Sequence, residues 1–297
     1  MTGLIEVLRE TERRLADAGI ESARVDSRIL VSHATGIARD RLVVPAGVAL
    51  SPEHRARIAE ITARRAAREP VALITGRREF WSLEFQVNRA TLIPRPDSET
   101  LIEAVLERRP DRMDHTRVLD LGTGSGCLLL ALLSELPNAT GLGIDASAEA
   151  LAVAAANAQA LGFAGRAAFA KDDWGALLNE RFDVILANPP YIATDDWARL
   201  DDDVRLFEPQ TALLAGPDGL GAYRSLLPHV VRLLAPDGLF VGEFGAGQAF
   251  GVVDAAQTAG LRVIELRRDL AGVERCLLAT GTENDGGGKT KCLKSCN

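Results

Sequence analysis

From Arg117 onward, short apolar runs alternate with segments of helical length. The runs are VLDL (118–121), GLGI (141–144), AAFA (167–170), DVILA (183–187) and LFVGEF (239–244). Between the second and third lies ASAEALAVAAANAQAL (146–161), which has the pattern of a helix. The runs do not alternate polar with apolar residues, so both faces of each strand are covered. Strand–helix repetition of this kind leaves few options, and the expected fold is α/β, a parallel sheet with helices on both sides. Two further runs, LRVIEL (261–266) and RCLLAT (275–280), lie too close together for a helical crossover. They are expected to pair as antiparallel neighbours.

The first 75 residues carry a different pattern. Leu4, Val7, Leu8 and Leu15 keep helical spacing, and Val25 to Val31 gives a second apolar stretch that breaks at Thr35-Gly36. Ser51-Pro52 reads as an N-cap followed by proline at the first helical position, opening a helix to about Arg68. Residues 1–75 are therefore expected to form a small helical domain. In 76–97, Phe80, Trp81, Phe85 and Val87 favour strands and Asn88-Arg89 favours a turn, which predicts a β-hairpin linker. Asp97 or Ser98 then caps a helix to about Arg108, and the sheet domain occupies 98–280. The stretch GTENDGGGKTKCLKSCN (281–297) has no apolar periodicity and is expected to be disordered.

Composition removes several function classes. A net charge of −7, with a slightly basic first segment and an acidic remainder, is not the footprint of a general nucleic-acid binder. Every apolar run falls well short of the ~20 residues that a membrane span needs. The N-terminal MTGLIEVLRETERRL lacks the order of a signal peptide, so a cytoplasmic location is expected. Cys127, Cys276, Cys292 and Cys296 do not cluster with His33, His54, His115 or His229 at ligand spacing. No metal is expected.

Chemistry concentrates at the ends of the apolar runs. VLDLGTGSG places Asp120, Gly122, Thr123, Gly124, Ser125 and Gly126 at a strand end and the turn into a helix. Glycines there let the backbone turn tightly and approach a ligand. The spacing departs from the dinucleotide fingerprint, which needs a third glycine where Cys127 stands. An acidic residue before the loop suits a ligand that ends in an ammonium rather than a pyrophosphate. A purely structural turn also satisfies these residues. Asp145 ends the next run, where a carboxylate can accept two ribose hydroxyls or cap the following helix. Asp172-Asp173-Trp174 follows the third run and can take an adenine amino group and ring, or serve as a cap and a packing residue. Three such features at successive strand ends point to one ligand.

The fourth run ends in Asn188-Pro189-Pro190-Tyr191. Two prolines cannot extend a strand, and they make the turn rigid. An amide or exocyclic amino nitrogen is a poor nucleophile because its lone pair is delocalised. Toward an activated methyl group, however, positioning supplies much of the rate. The Asn188 oxygen and the Pro189 carbonyl can accept the two N–H groups and stabilise the positive charge that builds on nitrogen. Tyr191 can pack on the planar group. A methyltransferase acting on a planar nitrogen is the expectation, with no general base. Exocyclic amino groups of adenine or guanine share this geometry. The acidic balance and the lack of a basic, aromatic-rich segment argue against such bases.

Several motifs beyond this core resemble the HemK/PrmC family of peptide chain release factor N5-glutamine methyltransferases. They are PVALITGRREFWSLEF (70–85), TLIPRPDSE (91–99), VLDLGTGSG (118–126), NPPY (188–191) and FEPQTALLAG (207–216), and the resemblance covers about residues 5–280. It implies a Rossmann-like, seven-stranded class I methyltransferase domain after a helical recognition domain and a hairpin. It implies S-adenosyl-L-methionine as cofactor, held by Gly122 to Gly126 and Asp145, with Asp173 and Trp174 at the adenine. It implies that Asn188, Pro189, Pro190 and Tyr191 hold the glutamine of a Gly-Gly-Gln tripeptide in a class I release factor, with Asn188 also bordering the cofactor. Arg95 to Glu99 are expected near the methionine end of the cofactor. Glu208 is expected at the substrate entrance or in a capping or hinge role. The implied partner is the class I release factor; no direct nucleic acid and no membrane are expected, and the chain is expected to act as a monomer.

Overall fold

The computed structural model describes residues 3–43 and 49–282. Four helices lead the chain: α1 (Leu4–Asp17), α2 (Ala23–Thr35), α3 (Pro52–Ala66) and α4 (Val71–Thr75). Ser51 caps α3 by accepting the His54 N–H at 3.2 Å, with Pro52 in the first turn. Gly36 ends α2 at φ 71°, a left-handed conformation that glycine adopts without strain. Leu4, Leu8, Leu15, Leu30, Ile58 and Ile61 form the core of this bundle.

Strands β1 (Arg77–Phe80) and β2 (Leu83–Gln86) pair antiparallel as a hairpin. Its turn is Trp81-Ser82, with φ of 52° and 58°, so Trp81 is not the strand residue that its composition suggested. Two positive φ values suit the twist of a two-residue hairpin turn but strain side chains other than glycine. The strain is offset by hydrogen bonds. Trp81 N–H donates to Glu99 at 2.9 Å, Trp81 Nε1 to Glu135 at 2.8 Å, and Ser82 N–H to Glu79 at 2.7 Å. The turn expected at Asn88-Arg89 is present, closed by the Ala90 N–H donating to Asn88 Oδ1 at 2.8 Å, but it leads out of the hairpin.

The second part contains α5 (Glu99–Arg108), β3 (Arg117–Leu121), α6 (Cys127–Glu135), β4 (Thr140–Asp145), α7 (Ala148–Ala160), β5 (Ala167–Lys171) and β6 (Phe182–Ala187). It continues with α8 (Asp202–Arg205), α9 (Gly221–Leu233), β7 (Leu234–Glu243), α10 (Ala249–Ala259), β8 (Leu261–Arg268) and β9 (Glu274–Gly281). Among the described residues these strands form a seven-stranded sheet in the order β5-β4-β3-β6-β7-β9-β8. Only β9 is reversed, pairing antiparallel with both β7 and β8, as the short spacing of the last two runs required. β9 ends at Gly281, one residue inside the segment expected to be disordered, and 283–297 lie outside the described residues.

Alternate residues of the central strands serve opposite faces. Val118 and Val184 pack with Leu101, Leu129 and Leu132 on one side. Leu119 and Ile185 pack with Leu226, Val230 and Val252 on the other. The order of strands reverses between β3 and β6, whose last residues, Leu121 and Ala187, stand opposite each other. A crevice at this point receives ligands in open α/β sheets. No described helix is long and apolar enough to cross a membrane.

The two parts are joined by a buried ion network. Arg65 of α3 donates through Nε to Asp26 of α2 at 2.7 Å and through Nη1 to Asp203 of α8 at 2.7 Å. Arg65 and Asp26 are both buried. Removing the cation leaves Asp26 buried with, among the described residues, only the Ser22 hydroxyl as side-chain donor at 2.8 Å. Arg65→Met is therefore expected to lower the stability of the intact chain by about 3 kcal/mol in urea unfolding.

Candidate active site

The chain leaves β3 through Gly122, Gly124 and Gly126, all at positive φ (72°, 54° and 79°), and enters α6. Beneath this loop Asp120 is buried, and its Oδ2 accepts the Thr123 hydroxyl at 2.6 Å. Burial pushes the Asp120 carboxyl up to about 7, against the Thr123 bond, and the charge of Asp145 adds to the rise. Its Oδ1 makes no hydrogen bond among the described residues. Gly143 of β4 allows this arrangement, because a Cβ there would stand 2.8 Å from Thr123 Oγ1 and from the Phe169 ring.

Asp145 ends β4 and binds two backbone groups, the Gly124 N–H at 3.0 Å and the Ser147 N–H at 2.8 Å. It is not the cap of α7. Ser147 fills that role, accepting the Ala150 N–H at 3.2 Å. After β5, Asp172 is buried and accepts the Leu177 N–H at 3.2 Å, whereas Asp173 is exposed. Trp174, at φ 53°, lays its ring over Gly122, so a Cβ on Gly122 would meet it at 3.4 Å.

These groups surround a cavity of about 510 Å³ at the switch point. Gly122, Thr123, Gly124, Ser125, Asp145, Asp173, Trp174, Asn188 and Pro190 border it. Asp120 lies buried at the base of the loop, and Gly126, Pro189 and Tyr191 are chain neighbours of the bordering residues. Arg95 and Ser98 face the cavity from the linker side.

On the β6 side, the Asn188 side-chain nitrogen donates to Ser98 Oγ at 3.1 Å. Ser98 stands at the N-cap of α5, one of the two positions expected, but its hydroxyl makes no cap bond and donates instead to Glu243 Oε2 at 2.5 Å. The Tyr191 hydroxyl meets the other Glu243 oxygen at 3.5 Å, and Tyr223 donates to the Glu243 backbone oxygen at 2.6 Å. Glu243 is 1% exposed. Burial raises its carboxyl to about 7 against the Ser98 bond and the Arg275 charge. Burial and then the Glu243 charge raise the Tyr191 phenol to about 12. Gln248 holds the Tyr191 carbonyl at 2.8 Å.

Sequence reasoning missed Glu243, which was read only as part of an apolar strand. Its signal was the one used for Asp145, an acid at the carboxyl end of a buried run. Glu208 is also buried; it accepts the Ile93 N–H at 3.2 Å and pairs with Arg95. It braces the 201–209 segment against the linker. Arg89 adds a second brace, its guanidinium 4.9 Å from the centre of the Phe207 ring.

Residues 6–76 match the family model described as PrmC N-terminal domain, and residues 113–250 match one described as Methyltransferase domain. The release factor glutamine methyltransferase of Rhodospirillum rubrum is 46% identical over 90% of this chain and 81% of that protein. Its counterpart in Caulobacter vibrioides is 43% identical over 93% and 95%. The chain belongs to the release factor glutamine methyltransferase family. Among solved structures, the hMettl16 catalytic domain in complex with MAT2A 3'UTR hairpin 6 superposes with a TM-score of 0.57 at 18% identity. That match covers 75% of this chain and 82% of that one and speaks to the fold. A methyltransferase from Pyrococcus furiosus gives a TM-score of 0.50 at 15% identity, over 75% and 100%.

As a member of this family the chain is an S-adenosylmethionine-dependent methyltransferase. The residues present fit that cofactor. Gly122 and Gly124 bring bare backbone to the wall between Thr123 and Ser125, Trp174 offers an aromatic face, and Asp145 offers a carboxylate at the strand end. Gly143→Ala should push Thr123 and Phe169 aside, costing about 1–3 kcal/mol of stability. Thermal unfolding with and without S-adenosylhomocysteine checks this, and the variant should show a smaller ligand-induced shift than the parent.

Proposed function

We propose that this chain transfers the methyl group to the side-chain amide nitrogen of the glutamine in the Gly-Gly-Gln motif of class I peptide chain release factors. The product is N5-methylglutamine, and the reaction supports translation termination. The observation that carries this reading is the orientation of Asn188. Its amide nitrogen is engaged by Ser98 at 3.1 Å, which leaves its oxygen as an acceptor beside the cavity that Asn188 borders.

S-adenosylmethionine supplies a methyl group already activated by a sulfonium. The chain's own residues supply position and charge. Asn188 Oδ1 and the Pro189 carbonyl accept the two N–H groups of the glutamine amide, fixing its nitrogen in line for attack. The same acceptors stabilise the positive charge that develops on nitrogen. Pro190 stiffens the turn, and Tyr191, held by Gln248 and Glu243, closes its far side. Thr123, Ser125 and the three loop glycines cradle the methionine end, with Asp120 beneath them. Asp145 takes the ribose hydroxyls, and Asp173 and Trp174 take the adenine.

In this reading residues 1–75 grip the release factor away from the chemistry, 76–97 link, and 98–280 catalyse, in a cytoplasmic monomer. The relatives' names support the release-factor substrate, since two of them match over 90% or more of the chain.

Purified protein with labelled S-adenosylmethionine should label a release factor, and the label should vanish when the Gly-Gly-Gln glutamine is replaced. Labelling of bare DNA or ribosomal RNA with none on the release factor would overturn the reading. Asn188→Ala should lower kcat by about 100-fold or more while cofactor affinity, measured by calorimetry, stays within about threefold. Asp145→Ala should do the reverse and weaken cofactor binding by about tenfold.

A further inference from the structure

We propose that Ser98 and Glu243 are positioning residues that decide which end of the Asn188 amide faces the substrate, so that the site accepts only a nitrogen bearing hydrogens. The substrate side of this inference rests on the amide-methylation reading given above. The orientation itself comes from counting protons. The Ser98 hydroxyl has one, and at 2.5 Å it is directed to Glu243 Oε2 in a charge-assisted bond. Ser98 Oγ then has only lone pairs left, and it accepts from Asn188 Nδ2 at 3.1 Å. An asparagine amide carries NH2 at one end and oxygen at the other. With its NH2 turned to Ser98, Asn188 presents oxygen in the cavity that both residues border. The opposite rotamer would set Asn188 oxygen against serine lone pairs and offer NH2 to another NH2.

The device depends on the charge of Glu243. When Glu243 is protonated it can donate to Ser98, the serine proton is released to Asn188 Oδ1, and the amide turns round. The groups facing Glu243 come from every neighbouring element. Asp97 and Ser98 lie in the turn before α5, Arg275 and Cys276 on β9, Tyr191 and Asn188 after β6, with the Asn188 side chain itself a hydrogen-bond partner of Glu243, Tyr223 on α9 and Cys127 at the start of α6. Arg275 is the cation among them, 4.0 Å from Asp97. Burial drives the two tyrosines and two cysteines upward, which keeps them neutral near pH 7, whereas Glu243 sits at about 7. The productive orientation is present above that pH and lost as pH falls through it.

The test is direct and needs no substrate. In protein labelled with 15N-asparagine, the Asn188 side-chain NH2 signals should shift between about pH 6 and pH 8 with a midpoint near 7, and Glu243→Gln should abolish the shift. In turnover, Ser98→Ala should lower kcat about tenfold with affinity for S-adenosylhomocysteine unchanged, and Ser98→Thr, which keeps the hydroxyl, should restore most of it. The double variant Ser98→Ala/Glu243→Gln should be no slower than the slower single variant. A pH-invariant Asn188 signal, a Ser98→Ala enzyme with normal kcat, or losses that add in the double variant would each overturn the proposal. Failure of the glutamine reading shows separately, as a release factor left unlabelled by the parent enzyme.

Discussion

Parallel pairing of β3 with β6 is the constraint from which the site is built. Their final residues, Leu121 and Ala187, lie side by side, so the segments leaving the two strands are delivered to the same place. The glycine loop leaves β3, and Asn188-Pro189-Pro190-Tyr191 leaves β6. These segments are more than 60 residues apart in the chain, and no local interaction brings them together. The sheet does so by setting β4 and β6 on opposite sides of β3. The hydrophobic faces that fill in above and below these strands therefore stabilise the fold and set the register of the chemistry at once.

Residues at the edges of the cavity are held by contacts of long sequence separation, and this explains what could be read in advance. The strands of the sheet, the hairpin and the capped start of α3 were legible because their signals are local: apolar runs, β-favouring residues, a serine before a proline. The roles of Ser98 and Glu243 were not. Ser98 has the sequence context of a helix cap, and its hydroxyl is claimed instead by a carboxylate 145 positions later. Asp145 likewise has the context of a cap, and Ser147 is the residue that performs it. Trp81 has the composition of a strand residue and occupies a turn, because Glu99 and Glu135 bind its two nitrogens from helices that come later in the chain.

The segment after the Asn-Pro-Pro-Tyr turn shows the same economy of long-range bracing. Asp203 meets Arg65 from the helical part, Phe207 meets Arg89, and Glu208 meets Arg95 and a linker backbone N–H. Three arginines from upstream thus grip one stretch of about six residues, the short α8 and the turn that follows it.

The Trp81-Ser82 turn has a mechanical meaning. A linker between two structural units ordinarily acts as a hinge, yet this one is riveted at its tip to α5 and α6 through a backbone bond and an indole bond. It behaves as a bracket, and the separation between the leading helices and the sheet becomes a fixed length. A partner molecule that touches both units is measured against that length, as an object is measured between the jaws of a calliper.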